Sequence, residues 1–140
     1  MNLIKGNIFF NGPRAAVNFN DGFGGGTRLT ENILFNTCRE TSDHGPFNSW
    51  DRMPFLTDIR DGTPSYNPAD WEIDHNLILS NYESMSAIDN DDGSSFYHIH
   101  HNVFPYGGGM KMDFGGHDKK YHDNIVIYIP REGVSYGFRC

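Results

Sequence analysis

Three segments of the sequence concentrate residues that can carry out acid–base or sugar-binding chemistry. The first, from Asp43 to Arg52, holds two carboxylates, a histidine, an arginine and a tryptophan within ten residues. Carboxylates serve as acid, base or nucleophile, and a tryptophan ring offers a flat apolar surface for a sugar. The structural alternative is a rigid Gly-Pro turn in which Asp43 pairs with His44 and Asp51 with Arg52.

The second segment is acidic and runs from Asp89 to Ser95, with carboxylates at Asp89, Asp91 and Asp92. Such crowding costs energy through mutual repulsion unless a function uses it. One use is a general acid of raised pKa, and another is a calcium ion, which takes six to eight oxygen ligands. The alternative is a solvated acidic turn closed by Gly93.

A repeat predicts how these segments are positioned. The frame apolar-any-any-Asn-apolar-apolar occurs five times, at Asn7, Asn32, Asn76, Asn102 and Asn124, with spacings of 25, 44, 26 and 22 residues. A period of 22–26 residues with short strands is typical of a parallel β-solenoid, in which equivalent strands stack about 4.8 Å apart. Stacked side-chain amides form a hydrogen-bonded ladder, so we assign these asparagines a structural role.

The repeat also predicts the domain organisation: one domain over residues 1–140, with about five coils. The long spacing of 44 residues contains a loop insertion at about 53–70, which carries Pro54, Pro64 and Pro68. No amphipathic capping helix is recognisable at either end, and solenoids need terminal caps. We therefore expect a fragment of a longer solenoid.

A second strand is predicted 10–16 residues after each repeated asparagine. The five segments are Val17–Asp21, Gly45–Ser49, Ile88–Asp92, Met110–Phe114 and Gly133–Gly137. Alternation turns their polar residues outward, so the third chemical segment, with Lys111 and Asp113, lies one coil beyond Asp89 and Asp91 on the same face. An exposed Asp89–Lys111 salt bridge of little energetic value is the alternative reading.

Histidines recur just before the repeated asparagines, at His75, His100, His101 and His122. A three-histidine zinc site is one reading of this recurrence. A stack of histidines on a solvent-facing strand is commoner, and we therefore predict no metal site.

Composition and charge restrict the partners. The chain has 16 Gly and 14 Asn, few good helix formers and a net charge of −7, which argues for an all-β protein and against helical bundles. The acidic charge disfavours nucleic acid and anionic membranes, and no apolar run approaches the roughly 20 residues that span a bilayer. We expect neither partner.

The segments Asp43–Trp50, Asp89–Ser95 and Gly107–Lys111 resemble right-handed parallel β-helix proteins of the pectate-lyase-like superfamily. More narrowly, they resemble its glycoside hydrolase branch, which includes α-L-fucosidase and xylanase activities. The resemblance spans nearly the whole chain. It implies a right-handed parallel β-helix, a polysaccharide or oligosaccharide substrate, and an extracellular or cell-surface location, although no signal peptide is recognisable in these 140 residues.

The resemblance also implies paired carboxylates acting on a glycosidic bond. The catalytic candidates are Asp51, Asp89 and Asp91, of which Asp51 and Asp91 are the expected reacting pair. The substrate-binding candidates are His44, Asn48, Trp50, Arg52, Asp92, Lys111 and Asp113. A hydrolase of this kind needs no cofactor.

Two further functions stay open. In a polysaccharide lyase the acidic cluster would bind calcium, and Lys111 or Arg52 would abstract the proton. In a non-catalytic carbohydrate-binding or adhesive solenoid the same face would only bind sugar.

Overall fold

The computed structural model describes residues 2–20, 25–52, 69–80, 82, 84, 86–112 and 115–128. Across these ranges the chain forms short strands joined by turns, and it contains no helix, hence none that could span a membrane. All strand pairings are parallel, as the repeat predicts.

The strands assemble into three sheets. The first sheet contains β1 (Leu3–Lys5), β4 (Arg28–Thr30), β7 (Trp71–Asp74), β10 (Tyr97–His100) and β13 (Lys120–His122). The second contains β2 (Ile8–Phe10), β5 (Ile33–Phe35), β8 (Leu77–Ile78), β11 (Val103–Pro105) and β14 (Ile125–Ile127). The third contains β3 (Val17–Asn20), β6 (Phe47–Trp50), β9 (Ser86–Asn90) and β12 (Gly108–Lys111). Strands that neighbour one another within a sheet are three apart in chain order, so each coil adds one strand to each sheet. The predicted parallel β-solenoid is confirmed.

The predicted asparagine ladder runs through all five coils. Asn76 is representative: its Nδ2 donates to Oδ1 of Asn102 at 3.0 Å, and its own Oδ1 accepts from Nδ2 of Asn32 at 3.0 Å. The same oxygen also accepts from the backbone N–H of Asn32 at 2.9 Å. Asn7 and Asn124 continue the ladder at either end. The ladder therefore joins the coils at the turn between the first and second sheets.

The residue before each ladder asparagine adopts a left-handed backbone conformation, with φ of 52° to 69°. These residues are Gly6, Glu31, His75, His101 and Asp123. A positive φ reverses the chain direction sharply between the two strands of a coil, and it is sterically costly for residues other than glycine. Gly6 adopts this conformation at little cost because it has no side chain. At the other four positions the ladder hydrogen bonds of the following asparagine help to offset the cost.

The core lies between the three sheets and is built from one apolar row of each. The first sheet contributes Leu29, Ile73 and Ile99, the second Leu34, Ile78 and Phe104, and the third Phe47, Ile88 and Met110. Each of these side chains contributes roughly 1.5–3 kcal/mol through its removal from water.

The third sheet differs in detail from the prediction. β9 begins at Ser86 and β12 at Gly108, each two residues earlier than predicted, and these two residues pair with each other. β6 begins at Phe47, two residues later than predicted. Gly133–Gly137 and most of the predicted insertion at 53–70 lie outside the described residues. Within that insertion, Ala69 forms an isolated parallel bridge with Gly25.

Candidate functional site

The outer face of the third sheet carries a row of polar side chains, one from each of its four strands. Strand register places Asn18 beside Asn48, Asn48 beside Asp89, and Asp89 beside Lys111. The Nδ2 of Asn48 donates to Oδ1 of Asn18 at 3.0 Å. The alternation that points Phe47, Ile88 and Met110 into the core turns this row away from it.

Asn18 at one end of the row is exposed, but the other three side chains are buried, whereas the sequence pattern predicted an outer, solvent-facing position for them. Asn48 is 1% exposed, Asp89 0% and Lys111 4%. The segment that holds Cys38 and His44 lies against the row: the charge of Asp89 acts on the Cys38 thiol, and the His44 ring lies near the Asn48 side chain. The exposed Asp89–Lys111 salt bridge of the sequence analysis therefore forms as a buried one.

Lys111 lies between two carboxylates. Its Nζ is 3.2 Å from Oδ1 of Asp89 and 3.6 Å from Oδ1 of Asp91. Burying an ion pair is expensive, and the attraction in a low-dielectric environment offsets that cost only in good geometry. Asp91 is the more accessible carboxylate, with its side chain 19% exposed against 0% for Asp89.

An aromatic and charged platform lies next to Asp91. The guanidinium of Arg52 is 4.8 Å from the ring centroid of Trp50, which is a cation–π geometry. The same guanidinium binds Oδ2 of Asp92 at 2.7 Å through both Nε and a terminal nitrogen. The side chains of Arg52 and Asp92 are 61% and 39% exposed, so the platform faces solvent.

Asp51 lies one residue beyond β6 and is half-buried. Its backbone N–H donates to the carbonyl oxygen of Asp92 at 2.7 Å. The pKa of Tyr97, which is raised chiefly by burial, is raised further by the charge of Asp51. Gly93 has a φ of +73°, and a Cβ there would clash with the Asp51 carbonyl oxygen, so this close approach requires glycine. Asp51 is therefore tied to the backbone of the acidic turn.

His44 is buried, and its environment lowers its pKa. Burial lowers its pKa, and the nearby charge of Arg14 lowers it further. Its Nδ1 has no hydrogen-bond partner among the described residues. Asp113, the last of the substrate-binding candidates, lies outside the described residues.

A polar cluster inside the third sheet was not anticipated. Asn90, whose inward position breaks the apolar alternation, donates from Nδ2 to Oγ of Ser49 at 2.6 Å. Ser49 also exchanges a hydrogen bond of 2.9 Å with Ser94, and it hydrogen-bonds the buried Tyr97. Burial raises the pKa of that phenol well above its usual range. The cluster lies in the interior and serves the packing of the coil.

Two potential metal ligands on the first sheet, Glu72 and His98, were not singled out from the sequence. Glu72 and His98 lie with His100 so that one ligand atom from each residue falls within 4.8 Å of the others. This is the one group of potential metal ligands found within the described part of the chain. A signal existed in the sequence, because Glu72 and His98 each precede a ladder asparagine by four positions.

No protein-family model matches this chain, and no curated protein or solved structure is similar enough to count as a match. The fold defines the molecule as a parallel β-solenoid with a polar row on its third sheet. The resemblance to the pectate-lyase-like superfamily stays a prediction.

Proposed function

We propose that this protein is a carbohydrate-active β-solenoid that hydrolyses glycosidic bonds of a polysaccharide or oligosaccharide at its third sheet. The observation that carries the proposal concerns the partly exposed Asp91, which contacts the buried Lys111 and directly precedes Asp92 of the Trp50–Arg52–Asp92 platform. Such a substrate is met outside the cell, which fits the expected extracellular or cell-surface location.

The platform suits a sugar. The apolar face of a pyranose ring stacks on an aromatic ring, and its hydroxyl groups bind planar charged side chains. Trp50 supplies the aromatic ring, while Arg52 and Asp92 supply the charged side chains that bind hydroxyl groups. A sugar bound there lies next to Asp91, because Asp91 and Asp92 are consecutive residues.

Asp91 is the proposed reacting carboxylate. Its Oδ1 lies 3.6 Å from Nζ of Lys111, and a carboxylate in this position suits a base or a nucleophile. Asp89 is too buried to touch a substrate, so its role is to hold Lys111 in place.

Asp51 is the proposed second carboxylate, because its backbone is hydrogen-bonded to Asp92 beside Asp91. Glycosidases need two carboxyl groups about 5–9.5 Å apart, and the smaller separations within that range go with retention of configuration.

A non-catalytic carbohydrate-binding solenoid is the second candidate. It is favoured by the complete burial of Asp89, which removes one of the three predicted catalytic carboxylates from the surface. A calcium-dependent lyase fits less well, since the Lys111 ammonium already lies between Asp89 and Asp91 where a cation would be needed.

The test is a reducing-sugar and ultraviolet assay on a panel of plant and algal polysaccharides, with calcium or EDTA. We expect new reducing ends, no ultraviolet absorbance, no effect of EDTA, and loss of at least about a hundredfold in rate for Asp91→Asn. The matched control is Glu31→Gln, which neutralises an exposed carboxylate far along the chain. Binding without turnover would support the second candidate, and calcium-dependent absorbance would support the lyase.

A further inference from the structure

We propose that Glu72, His98 and His100 bind a divalent metal ion of the zinc class on the outer face of the first sheet. This site lies on a different sheet from the proposed carbohydrate site and does not depend on it. Of the histidines that recur before the ladder asparagines, His100 is one of the three ligands, and Glu72 and His98 complete the group.

Strand register brings the three ligands together. Glu72 on β7 is directly beside His98 on the neighbouring β10, and His100 lies two residues further along β10. Alternation turns all three to the same side, while Ile73 and Ile99 between them point into the core. The third strand of this group, β13, places His122 beside His100.

Both imidazole rings contact the Glu72 carboxylate. Nδ1 of His98 is 3.1 Å from Oε1 of Glu72, and Nε2 of His100 is 3.0 Å from Oε2 of the same carboxylate. With metal–ligand bonds of about 2.0–2.1 Å, ligand atoms around a tetrahedral zinc ion lie about 3.3 Å apart. The three ligand atoms lie within 4.8 Å of one another, so side-chain movements of up to about 1.5 Å bring them to that spacing around an ion.

The hydrogen bonds around His98 direct a lone pair at Glu72. His122 donates from Nδ1 to Oδ2 of Asp123 at 2.8 Å, so its Nε2 is an acceptor when the ring is neutral. That nitrogen lies 2.7 Å from Nε2 of His98, which must then be the donor. The Nδ1 of a neutral His98 is left as an acceptor facing a carboxylate oxygen. This places an imidazole nitrogen and a carboxylate oxygen face to face, an arrangement that a shared proton or a metal cation completes.

His100 has an equivalent outer partner. Its Nδ1 lies 2.8 Å from Nδ1 of His101, and by donating there it leaves Nε2 free to ligate. Metal-bound histidines usually donate their second ring nitrogen in this way, which fixes the tautomer and orients the ring. His122 and His101 are thus positioning residues for the two ligands.

The donor set selects the type of metal. Two imidazole nitrogens and one carboxylate suit zinc and neighbouring transition metals, whereas calcium prefers an all-oxygen shell. The side chains of Glu72, His98 and His100 are 34%, 22% and 15% exposed, so the ion is reachable from solvent. Three protein ligands leave a fourth position open to water or another small ligand.

Equilibrium dialysis of tag-free protein with Zn²⁺, after treatment with a chelator, tests the proposal. We expect one tightly bound ion per chain, an increase in melting temperature on addition of Zn²⁺, and a loss of affinity of at least about tenfold in both Glu72→Gln and His98→Ala. The control is His117→Ala, which removes an exposed histidine that pairs with Asp118. Circular dichroism checks that each variant is folded.

The proposal is overturned if the wild type binds no Zn²⁺ above the level of the two ligand variants. It is equally overturned if His117→Ala loses as much affinity as His98→Ala, because binding would then be spread over the surface histidines. Glu72→Gln keeps the test independent of folding, since it replaces a half-buried side chain by one of the same shape.

Discussion

Nζ of Lys111 lies 3.2 Å from Oδ1 of Asp89, and both side chains are almost completely buried on the face of the third sheet that points away from the core. The pair links β9 to β12, two neighbouring strands of that sheet. Asp89 at the same time continues the row that begins at Asn18 and Asn48. The pair therefore joins two strands, and it also holds Lys111 where its ammonium contacts Asp91.

Lys111→Met should destabilise the protein by about 3–5 kcal/mol, because it leaves the Asp89 carboxylate buried without its counter-charge. The double variant Asp89→Leu with Lys111→Met should recover most of that loss. Urea denaturation measures both. The control is Lys120→Met, which breaks the exposed Lys120–Asp70 pair and should have little effect. If Lys120→Met lowered the free energy of unfolding as much as Lys111→Met does, burial of the Asp89–Lys111 pair would not be the cause of the loss.

Asn76→Ala should be among the most destabilising changes in the ladder. It removes the acceptor for two hydrogen bonds from Asn32 and the donor to Asn102 and to the Leu29 carbonyl oxygen. Each buried partner left unsatisfied costs about 1–3 kcal/mol. Asn7→Ala, at the exposed end of the ladder, should cost much less in the same denaturation experiment. A loss at Asn7 as large as at Asn76 would argue against burial as the cause.

Stability should fall in acid because of Asp74. Burial alone would raise the pKa of this carboxyl, but hydrogen bonds from Arg28, His75 and Thr30, together with the Arg28 charge, lower it well below its usual value of 3.8. A carboxyl whose pKa is lower in the folded protein than in the unfolded chain stabilises the fold at pH values above its unfolded-state pKa. That stabilisation is lost as the pH falls from the unfolded-state pKa toward the folded-state pKa. Unfolding free energies at pH 6 and pH 2.5 should show this loss. Asp74→Asn should be less stable at pH 6 and should show a smaller pH dependence.

Trp50→Ala should weaken binding of an oligosaccharide by roughly 1 kcal/mol, about fivefold, because it removes the stacking surface under Arg52. Calorimetric titration with the best ligand from the polysaccharide panel measures the effect. Tyr82→Ala provides the comparison, since Tyr82 is also an exposed aromatic ring beside an arginine, Arg39. If both variants lose the same affinity, the platform at Trp50 is not the sugar site.

The repeated frame determined the fold without any structure. Because coils of a solenoid contact only their neighbours, a period in the sequence translates directly into strand register. The positions of Asn32, Asn76 and Asn102 therefore predicted both the ladder and the pairing of the strands before them. The same period also placed Asn48, Asp89 and Lys111 in one row.

Burial and side-chain partners were decided only by the tertiary structure. Alternation predicts that Asp89 and Lys111 turn away from the core, but it does not predict that the segment holding Cys38 and His44 lies against them. The meeting of Glu72 with His98 and His100 likewise depends on which rotamers bring atoms from adjacent coils within reach. Periodicity sets where backbones stack, whereas contacts between side chains of distant segments follow from packing in three dimensions.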